Sequence, residues 1–323
     1  MGDILLTTPI IRTIKAKFPN SQLDFLVAKQ FSDVLRANPN IDKLLIYDKS
    51  LPMTEILNWK NQLISEFGQY DYIIDLQNNL RSKIFRKNLG KNIYSIPKRR
   101  LHKLALVNLK RSPFEPIHVV DNYFKAVKKL DVVPDGKGLD ITQSSNFSIS
   151  KFINRTNQKI IAIAPGAAHF TKRLPAPKYI KIINALNQLG NYSFILLGGK
   201  SDRELCEIIK NSCDANIINL SGELSIDQTA KAIGESDLLI TNDTGVMHIG
   251  AAVQTPLIAV FGSTTTSLGF SPYKCLHRIV EVNLPCRPCT HVGMSECPKK
   301  HFNCMNLIDS RSVVNVALEL LEK

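Results

Sequence analysis

Short apolar runs alternate with amphipathic stretches along the first half of the chain. Residues 9–18 have a helical pattern, in which Thr8 can act as the cap and Pro9 can occupy the first helical position. The apolar runs between such stretches are short and nearly uninterrupted, which is typical of buried strands in a parallel sheet. The pattern therefore predicts βαβ units, with strands at residues 22–27, 43–47 and 72–76.

The alternation is interrupted between residues 144 and 158, where the chain is polar and rich in Ser and Asn. It then resumes at Lys159. A chain of 323 residues is too long for one ordinary hydrophobic core. We therefore predict an α/β protein of two domains, residues 1–150 and 151–323, with a cleft between them. The strands of the second domain are predicted at residues 159–164, 192–197, 216–220, 237–241 and 256–261.

Each predicted strand of the second half ends in a turn rich in Gly, Asn, Asp or Ser. In an open parallel sheet the carboxyl ends of the strands border one crevice, where ligands bind. We therefore expect these turns to line a single crevice. They comprise residues 165–168, 198–199, 221–222, 242–245 and 262–264.

Residues 242–248 stand where a predicted strand passes into a helical pattern. The start of such a helix offers unpaired backbone N–H groups and a partial positive charge, which suit a diphosphate. Asp243 would repel phosphates, so its carboxylate is expected to accept hydrogen bonds from sugar hydroxyls. The stretch predicts a nucleotide-sugar site. The alternative is a plain capped helix, with Asp243 or Thr244 as N-cap and His248 as a buried structural histidine.

Other positions are candidates for chemistry. Asp3 precedes a helix start and could face the cleft as a general base, or it could be part of a solvated terminus. Lys172 and Arg173 follow the turn at 165–168 and could neutralise a phosphate leaving group, Arg173 through two hydrogen bonds. The alternative is a solvent-exposed pair, which is the more frequent outcome for such neighbours. Gly198 and Gly199, with Asp202 nearby, fit either ligand approach or a tight turn.

The net charge of +13 is concentrated between residues 81 and 112, which hold eleven Lys or Arg and no acidic residue. Only Phe85 and Tyr94 are interleaved with these charges, too few aromatic residues for base stacking on nucleic acid. An anionic lipid or a phosphorylated sugar suits the run better, and a solvated basic face without a partner is the alternative. The chain has no apolar segment approaching a membrane span and no secretory pattern at its start, so we expect it in the cytoplasm.

Four cysteines lie close together near the C-terminus. Cys286, Cys289, Cys297 and Cys304 have the spacing C-x2-C-x7-C-x6-C, in a proline-rich loop spanning residues 286–304. The first pair has the spacing of a metal site, and four thiolates could hold a structural zinc, although the second pair is widely spaced.

Six motifs, in their order and spacing, resemble those of the lipopolysaccharide heptosyltransferases of glycosyltransferase family 9. The resemblance runs nearly end to end. It implies the GT-B fold, in which two Rossmann-like domains hold the acceptor on the N-terminal side and a nucleotide-activated heptose, usually ADP-heptose, on the C-terminal side. It also implies inversion at the anomeric carbon. The motifs are residues 2–9, 75–77 with 81–82, 165–167, 172–175, 197–199 and 242–248.

By this resemblance Asp3 is the base and Lys172 binds phosphate. Lys172 and the helix start at residue 244 can stabilise the departing ADP, so no obligatory cation is expected. The basic run becomes the place for a phosphorylated lipid A and inner-core acceptor at the cytoplasmic face of the inner membrane. The donor-binding candidates are Gly166, Ala167, Arg173, Gly198, Gly199, Asn242, Asp243, Thr244, Gly245 and His248, and the acceptor-binding candidates are Gln77, Arg81, Lys98, Arg99 and Arg100.

One feature departs from the family: its members have a short apolar strand before the Gly-Asp turn, and here only Met1 precedes Gly2. The absence of an interior strand would leave both of its neighbours unpaired. We interpret this as a start assigned to an internal methionine, because the later motifs are intact. A fragment or a degenerate, inactive copy are the alternatives. The rival functions are a sugar-nucleotide epimerase or hydrolase, which needs no acceptor, and a remnant that binds nucleotide sugar without transferring it.

Overall fold

The computed structural model describes residues 1–153 and 158–322 and has an α/β fold with parallel sheets. The first half contributes four strands and six α-helices, and residues 105–109 form a π-helical turn. Its strands are β1 (Asp24–Ala28), β2 (Lys43–Tyr47), β3 (Tyr70–Asp75) and β4 (Gly90–Ser95). Its helices are α1 (Gly2–Leu5), α2 (Thr8–Lys17), α3 (Met53–Phe67), α4 (Leu80–Arg86), α5 (Arg100–Leu104) and α6 (Val119–Val127).

The second half contains the larger sheet. Its strands are β5 (Lys159–Ala164), β6 (Tyr192–Leu196), β7 (Ile217–Asn219), β8 (Leu238–Asn242), β9 (Leu257–Phe261) and β10 (His277–Glu281). Its helices are α7 (Ala176–Leu189), α8 (Arg203–Asn211), α9 (Ile226–Gly234), α10 (Gly245–Ala252), α11 (Asn303–Asn306) and α12 (Ser310–Leu321). Short 3-10 helices lie at Lys29–Val34, Lys128–Leu130, Ile149–Lys151, Phe170–Lys172, Lys200–Asp202 and Thr266–Leu268.

The six strands of the second half are all parallel, in the order β10-β9-β8-β5-β6-β7. The five predicted strands are confirmed to within one or two residues at each end. β10 was not predicted, because this edge strand is only partly buried and lacks a continuous apolar run. The predicted break at residues 144–158 includes residues 154–157, which lie outside the described part of the chain.

Apolar side chains cover both faces of this sheet, as a parallel sheet requires. Alternate residues of β5 point to opposite sides: Ile161 packs with α7, α8 and α12, whereas Ile160 faces the other side. On that second side, α9 and α10 share one core with α1, α2 and α6 of the first half. The two halves are therefore joined by a continuous apolar core on the α10 side of the sheet.

The strands of the first half form two separate sheets. β1 pairs in parallel with β2, and β3 pairs in parallel with β4. Among the described residues no strand joins β1 to β3, and residues 2–5 form α1. Side chains connect the two sheets: the Tyr70 hydroxyl donates a hydrogen bond of 2.6 Å to Asp24, and Leu45 of β2 shares an apolar cluster with Ile73 of β3.

Two predictions for the first half are wrong in part. The strands were expected to be buried, yet Leu26, Ile46 and Tyr72 are exposed, because two-stranded sheets leave edges and faces uncovered. Helix α2 begins one residue earlier than predicted, with Thr7 at the cap position and Thr8 already helical. The hydroxyls of Thr7 and Thr8 donate back to the carbonyls of Ile4 and Leu5, so neither side chain caps the helix.

Among the described residues, no helix is both long enough and apolar enough to cross a bilayer.

The contact between β3 and β1 can be tested by Tyr70→Phe. We expect the free energy of unfolding to fall by about 1 kcal/mol, because a part-buried hydrogen bond is lost and the Asp24 carboxylate loses a donor. Urea denaturation measures the change. Tyr72→Phe, on the exposed part of the same strand, is the matched control and should leave the midpoint unchanged. Equal midpoints for Tyr70→Phe and the natural chain would contradict the role given to this contact.

Candidate active site

A cavity of about 360 Å³ lies at the carboxyl end of the six-stranded sheet. Its walls come from the segments that follow β5, β6 and β8. This confirms the predicted crevice for the turns at 165–168, 198–199 and 242–245. The turns at 221–222 and 262–264 do not line it. The lining residues are Met1, Ala164, Gly166, Ala167, Ala168, Arg173, Leu197, Gly198, Gly199, Ser201, Asp202, Thr244, Gly245 and Val246.

In one wall of the cavity the Asp202 carboxylate packs against the backbone of glycine residues. The Asp202 side chain accepts a hydrogen bond of 2.9 Å from the Gly199 N–H. A Cβ added at Gly166 would lie 2.3 Å from the Asp202 carboxyl carbon, and one added at Gly198 would lie 2.8 Å from its Cβ. Glycine at these positions is therefore what lets the carboxylate reach the cavity wall. Sequence reasoning left Asp202 out of the site, although its spacing behind Gly198 and Gly199 was the available signal.

Lys172 and Asp243, which are 71 positions apart, meet beside this cavity. The Lys172 Nζ is 2.7 Å from the Asp243 Oδ2, and the Thr264 hydroxyl donates to the same oxygen at 2.6 Å. Asp243 is only 6% exposed. The cation predicted to bind phosphate and the carboxylate predicted to bind sugar hydroxyls thus form one nearly buried ion pair. Removing the Lys172 charge would leave the buried Asp243 carboxylate without a counterion.

Asn242 lies behind the cavity and is fully buried. Its side-chain nitrogen donates 2.8 Å to the Pro165 carbonyl, and its oxygen accepts 3.2 Å from the Leu174 N–H. Both ends of the loop that carries Lys172 and Arg173 are therefore fastened to the end of β8. The structure gives Asn242 a positioning contact rather than a place in the cavity wall.

Arg173 and the start of α10 complete the lining. The Arg173 Nε donates 2.6 Å to the Ala167 carbonyl, which holds the guanidinium against the turn after β5. Thr244 is the cap residue of α10, but its side chain makes no capping hydrogen bond. The alternative expectation of Thr244 at the N-cap position and of a buried His248 is therefore met, but without a hydrogen bond from the Thr244 side chain. The first N–H groups of α10, from Gly245 onward, remain available at the cavity.

His248 lies one turn into α10 and is 4% exposed. It packs against α1 so closely that a Cβ at Gly2 would lie 2.8 Å from its ring. Burial lowers the pKa of His248 to about 4, and the nearby negative charge of Asp243 only partly opposes this shift. Its Nδ1 atom is buried and has no hydrogen-bond partner among the described residues. His248 is therefore neutral at pH 7, with one polar atom unsatisfied.

Asp3 is exposed on α1, the helix that packs against α10. Its neighbours are basic and phenolic. Burial lowers the pKa of Lys103, and the negative charge of Asp3 opposes that shift. The same charge adds to burial in raising the pKa of Tyr123. Asp3 does not line the cavity itself, but Met1, two positions earlier, does.

The predicted acceptor residues fall into two groups. Buried Asp75 organises the first, because its carboxylate accepts from the Gln77 N–H at 3.0 Å and from an Arg86 nitrogen at 2.9 Å. The Lys98 Nζ donates 2.6 Å to the Gln77 carbonyl. Gln77 and Lys98 are thus brought together on the surface.

The other basic candidates point elsewhere. Arg99 donates to the carbonyls of Glu115 and Ile117, and Arg81 donates to the Lys49 carbonyl at 3.4 Å. Arg100 is exposed at the start of α5. The structure therefore does not bring all five acceptor candidates to one point.

The cysteine-rich loop does not support the zinc prediction. Among the described residues, no group of three or more His, Cys, Asp or Glu side chains is arranged to hold a metal ion. The Cys286 Sγ lies 3.9 Å from the His301 Nε2, and the Cys289 thiol donates to the Cys286 carbonyl. All seven cysteines are free thiols.

Comparison with known proteins identifies the class of enzyme. Residues 61–300 match glycosyltransferase family 9 (heptosyltransferase). The chain is 27% identical, over 331 aligned positions, to lipooligosaccharide heptosyltransferase 2 of Campylobacter jejuni; the alignment covers 100% of this chain and 96% of that protein.

Two solved structures share its fold. A glycosyltransferase family 9 protein of Veillonella parvula has a TM-score of 0.79 at 22% identity, with 99% of this chain and 94% of that chain covered. The Escherichia coli heptosyltransferase WaaC with ADP has a TM-score of 0.71 at 16% identity, with 99% and 96% covered. The chain is a glycosyltransferase and belongs to glycosyltransferase family 9. The fold agrees with the predicted GT-B class.

The buried state of His248 predicts a dependence of stability on pH. In the folded chain His248 gains a proton only near pH 4, whereas the ordinary histidine pKa is 6.5, so the unfolded state binds the extra proton between these values. The stabilisation is complete above about pH 6.5 and is lost towards pH 4, by up to about 1.4 kcal/mol per pH unit.

Urea unfolding near neutral pH and about two pH units lower measures this loss. We expect His248→Leu to show a shallower fall in stability than the natural chain. His301→Leu, at an exposed histidine, should keep the natural slope. A slope in His248→Leu equal to that of the natural chain would contradict a neutral, buried imidazole.

Proposed function

We propose that the chain transfers heptose from ADP-heptose to the inner core of lipopolysaccharide, with inversion at the anomeric carbon. Membership of glycosyltransferase family 9 and the heptosyltransferase names of its relatives support this proposal. The observation that carries it is the cavity at the strand ends, which is lined by Arg173, the start of α10 and two glycine-rich turns. Lys172 and Asp243, which form an ion pair, are the chain neighbours of the lining residues Arg173 and Thr244.

The donor diphosphate is proposed to bind between the N-terminus of α10 and Lys172. Backbone N–H groups from Gly245 onward and the Lys172 ammonium supply positive charge where the leaving ADP develops negative charge. The ion pair with Asp243 keeps Lys172 in place before the donor arrives. When the donor phosphates bind the Lys172 ammonium, the Asp243 carboxylate loses this contact and can accept hydrogen bonds from hydroxyls of the donor sugar. With these charges in place we expect no obligatory cation.

The remaining donor contacts follow from the cavity wall. Gly166, Ala167, Gly198 and Gly199 let the nucleotide approach the backbone closely, and Arg173 adds a second cation. Asp202 is an acceptor that would repel phosphate, so we assign it to the hydroxyls of a sugar ring. His248, buried below the same helix start, holds α10 against α1 while neutral.

Asp3 is the proposed base. It removes the proton of an acceptor hydroxyl while that oxygen forms a bond to the anomeric carbon of the heptose. The bond from that carbon to the diphosphate oxygen breaks on the opposite face, and its electron pair leaves with ADP. The proton remains on Asp3 until it is lost to solvent. Its exposure and its place on α1, beside α10, support this role.

The acceptor is proposed to be a phosphorylated lipid A and inner-core molecule at the cytoplasmic face of the inner membrane. Residues 1–150 would form its domain and residues 151–323 the donor domain. Lys98, beside Gln77, supplies countercharge, and Arg81, Arg99 and Arg100 add positive charge at separate points of the same half. Peripheral contact with that membrane follows, because the acceptor is embedded in it.

Replacement of the base tests the proposal. We expect Asp3→Asn to lower heptose transfer by at least about 100-fold, because the acceptor oxygen keeps its proton, while ADP binding stays unchanged. Mass spectrometry of a heptose-deficient core acceptor incubated with ADP-heptose measures transfer, and calorimetry measures ADP binding. Asp71→Asn, a conservative change at a largely exposed carboxylate on β3, is the control.

Other outcomes separate the rival functions. Consumption of ADP-heptose at equal rates with and without acceptor would indicate an epimerase or hydrolase. ADP binding without transfer by the natural chain would indicate a binding remnant. Transfer by Asp3→Asn at the rate of the natural chain would reject Asp3 as the base.

A further inference from the structure

The segment that begins with α5 exposes a row of large apolar side chains. Leu101 is 71% exposed, Leu104 56%, Leu109 67% and Phe114 48%. Isolated apolar residues are common on protein surfaces, but four large exposed ones lie within fourteen positions of one segment, and concentrations of exposed apolar area mark interaction sites. We call these four residues the 101–114 surface.

The opposite side of the same segment is fixed to the second half of the protein. Buried His102 makes contacts of 2.8 Å to the Ser112 hydroxyl and 3.0 Å to the Ser267 carbonyl. The Lys110 Nζ donates 2.9 Å to the Pro288 carbonyl. Leu106 is buried one turn after His102. The inner face of the segment already has its packing partners, so the apolar residues of the 101–114 surface are an additional, outward-facing set.

The Lys, Arg, Asp and Glu positions around this surface are all basic. Residues 98–114 contain six Lys or Arg and no Asp or Glu. Of these, Arg100 and Arg111 are exposed on either side of the leucines. A partner must therefore offer negative charge and an apolar layer together. Nucleic acid offers the charge alone, whereas a bilayer of anionic phospholipids offers both, with phosphates above the acyl chains.

We propose that the 101–114 surface docks on a bilayer containing anionic phospholipid. Leu101, Leu104, Leu109 and Phe114 enter the boundary between headgroups and acyl chains, and Arg100 and Arg111 contact the phosphates. The inference deepens the proposed function and rests on it for its biological purpose. Lys103, on the inner side of the same helix, lies within the electrostatic influence of Asp3. Docking would therefore hold the proposed base close to the membrane that contains the acceptor.

Vesicle binding tests the proposal with the full chain. Flotation with phosphatidylcholine vesicles, with and without phosphatidylglycerol, measures the partition coefficient. We expect binding only to the anionic vesicles, and at least about tenfold weaker binding for Leu101→Ser/Leu104→Ser, because less apolar area enters the bilayer. Arg111→Glu should weaken binding about fivefold or more. The matched control, Leu189→Ser/Leu307→Ser, changes two leucines of similar exposure in the second half and should bind like the natural chain.

A second measurement separates docking from catalysis. Transfer to a deacylated, water-soluble core acceptor should be unchanged in Leu101→Ser/Leu104→Ser, which also shows that this variant is folded. Equal vesicle binding by the natural chain and this variant, or equal binding to neutral and anionic vesicles, would overturn the docking proposal. Absence of transfer by the natural chain, with the vesicle pattern as expected, would reject the proposed function and leave the docking surface standing.

Discussion

The strand order of the six-stranded sheet is the constraint on which the site depends. β5 lies between β8 and β6, so three neighbouring parallel strands deliver their carboxyl ends to one place. The segments after these three strands form the cavity wall. The turn after β7 lies at the sheet edge, which explains why it does not join them. The turn after β9 does not line the cavity, but its Thr264 hydroxyl donates a hydrogen bond to the Asp243 carboxylate.

The pairing of Lys172 with Asp243 holds a cation next to the start of α10, where we propose that the donor diphosphate binds. The Lys172 side chain is largely shielded from solvent, and Asp243 provides its counterion at 2.7 Å. Asn242, the neighbouring residue, fastens the loop that carries the lysine. In the function we propose, a donor diphosphate competes with Asp243 for the Lys172 ammonium. Donor binding would then release the Asp243 carboxylate to bind sugar hydroxyls.

Sequence patterns predicted the second half of the fold better than the first. The strands β5, β6, β8 and β9 are continuous apolar runs because both faces of the sheet are covered, and such runs are visible in the sequence. β4 (Gly90–Ser95) is hidden in a basic stretch and was missed. The turns that line the cavity were predicted from their place after strands. The contact between Lys172 and Asp243 was not, because it depends on strand order, which hydrophobic periodicity does not contain. Asp202 was not among the predicted site residues, because its place in the cavity wall depends on its close approach to Gly166, which the sequence does not reveal.

The proposed donor site is best tested by a crystal structure of the chain with ADP bound. We expect the diphosphate at the first N–H groups of α10, in the cavity lined by residues 166–168 and 198–199. We also expect the Lys172 ammonium within hydrogen-bond distance of a phosphate oxygen. ADP bound elsewhere, or a diphosphate in this cavity without any contact to Lys172 or to the start of α10, would refute the proposed donor site.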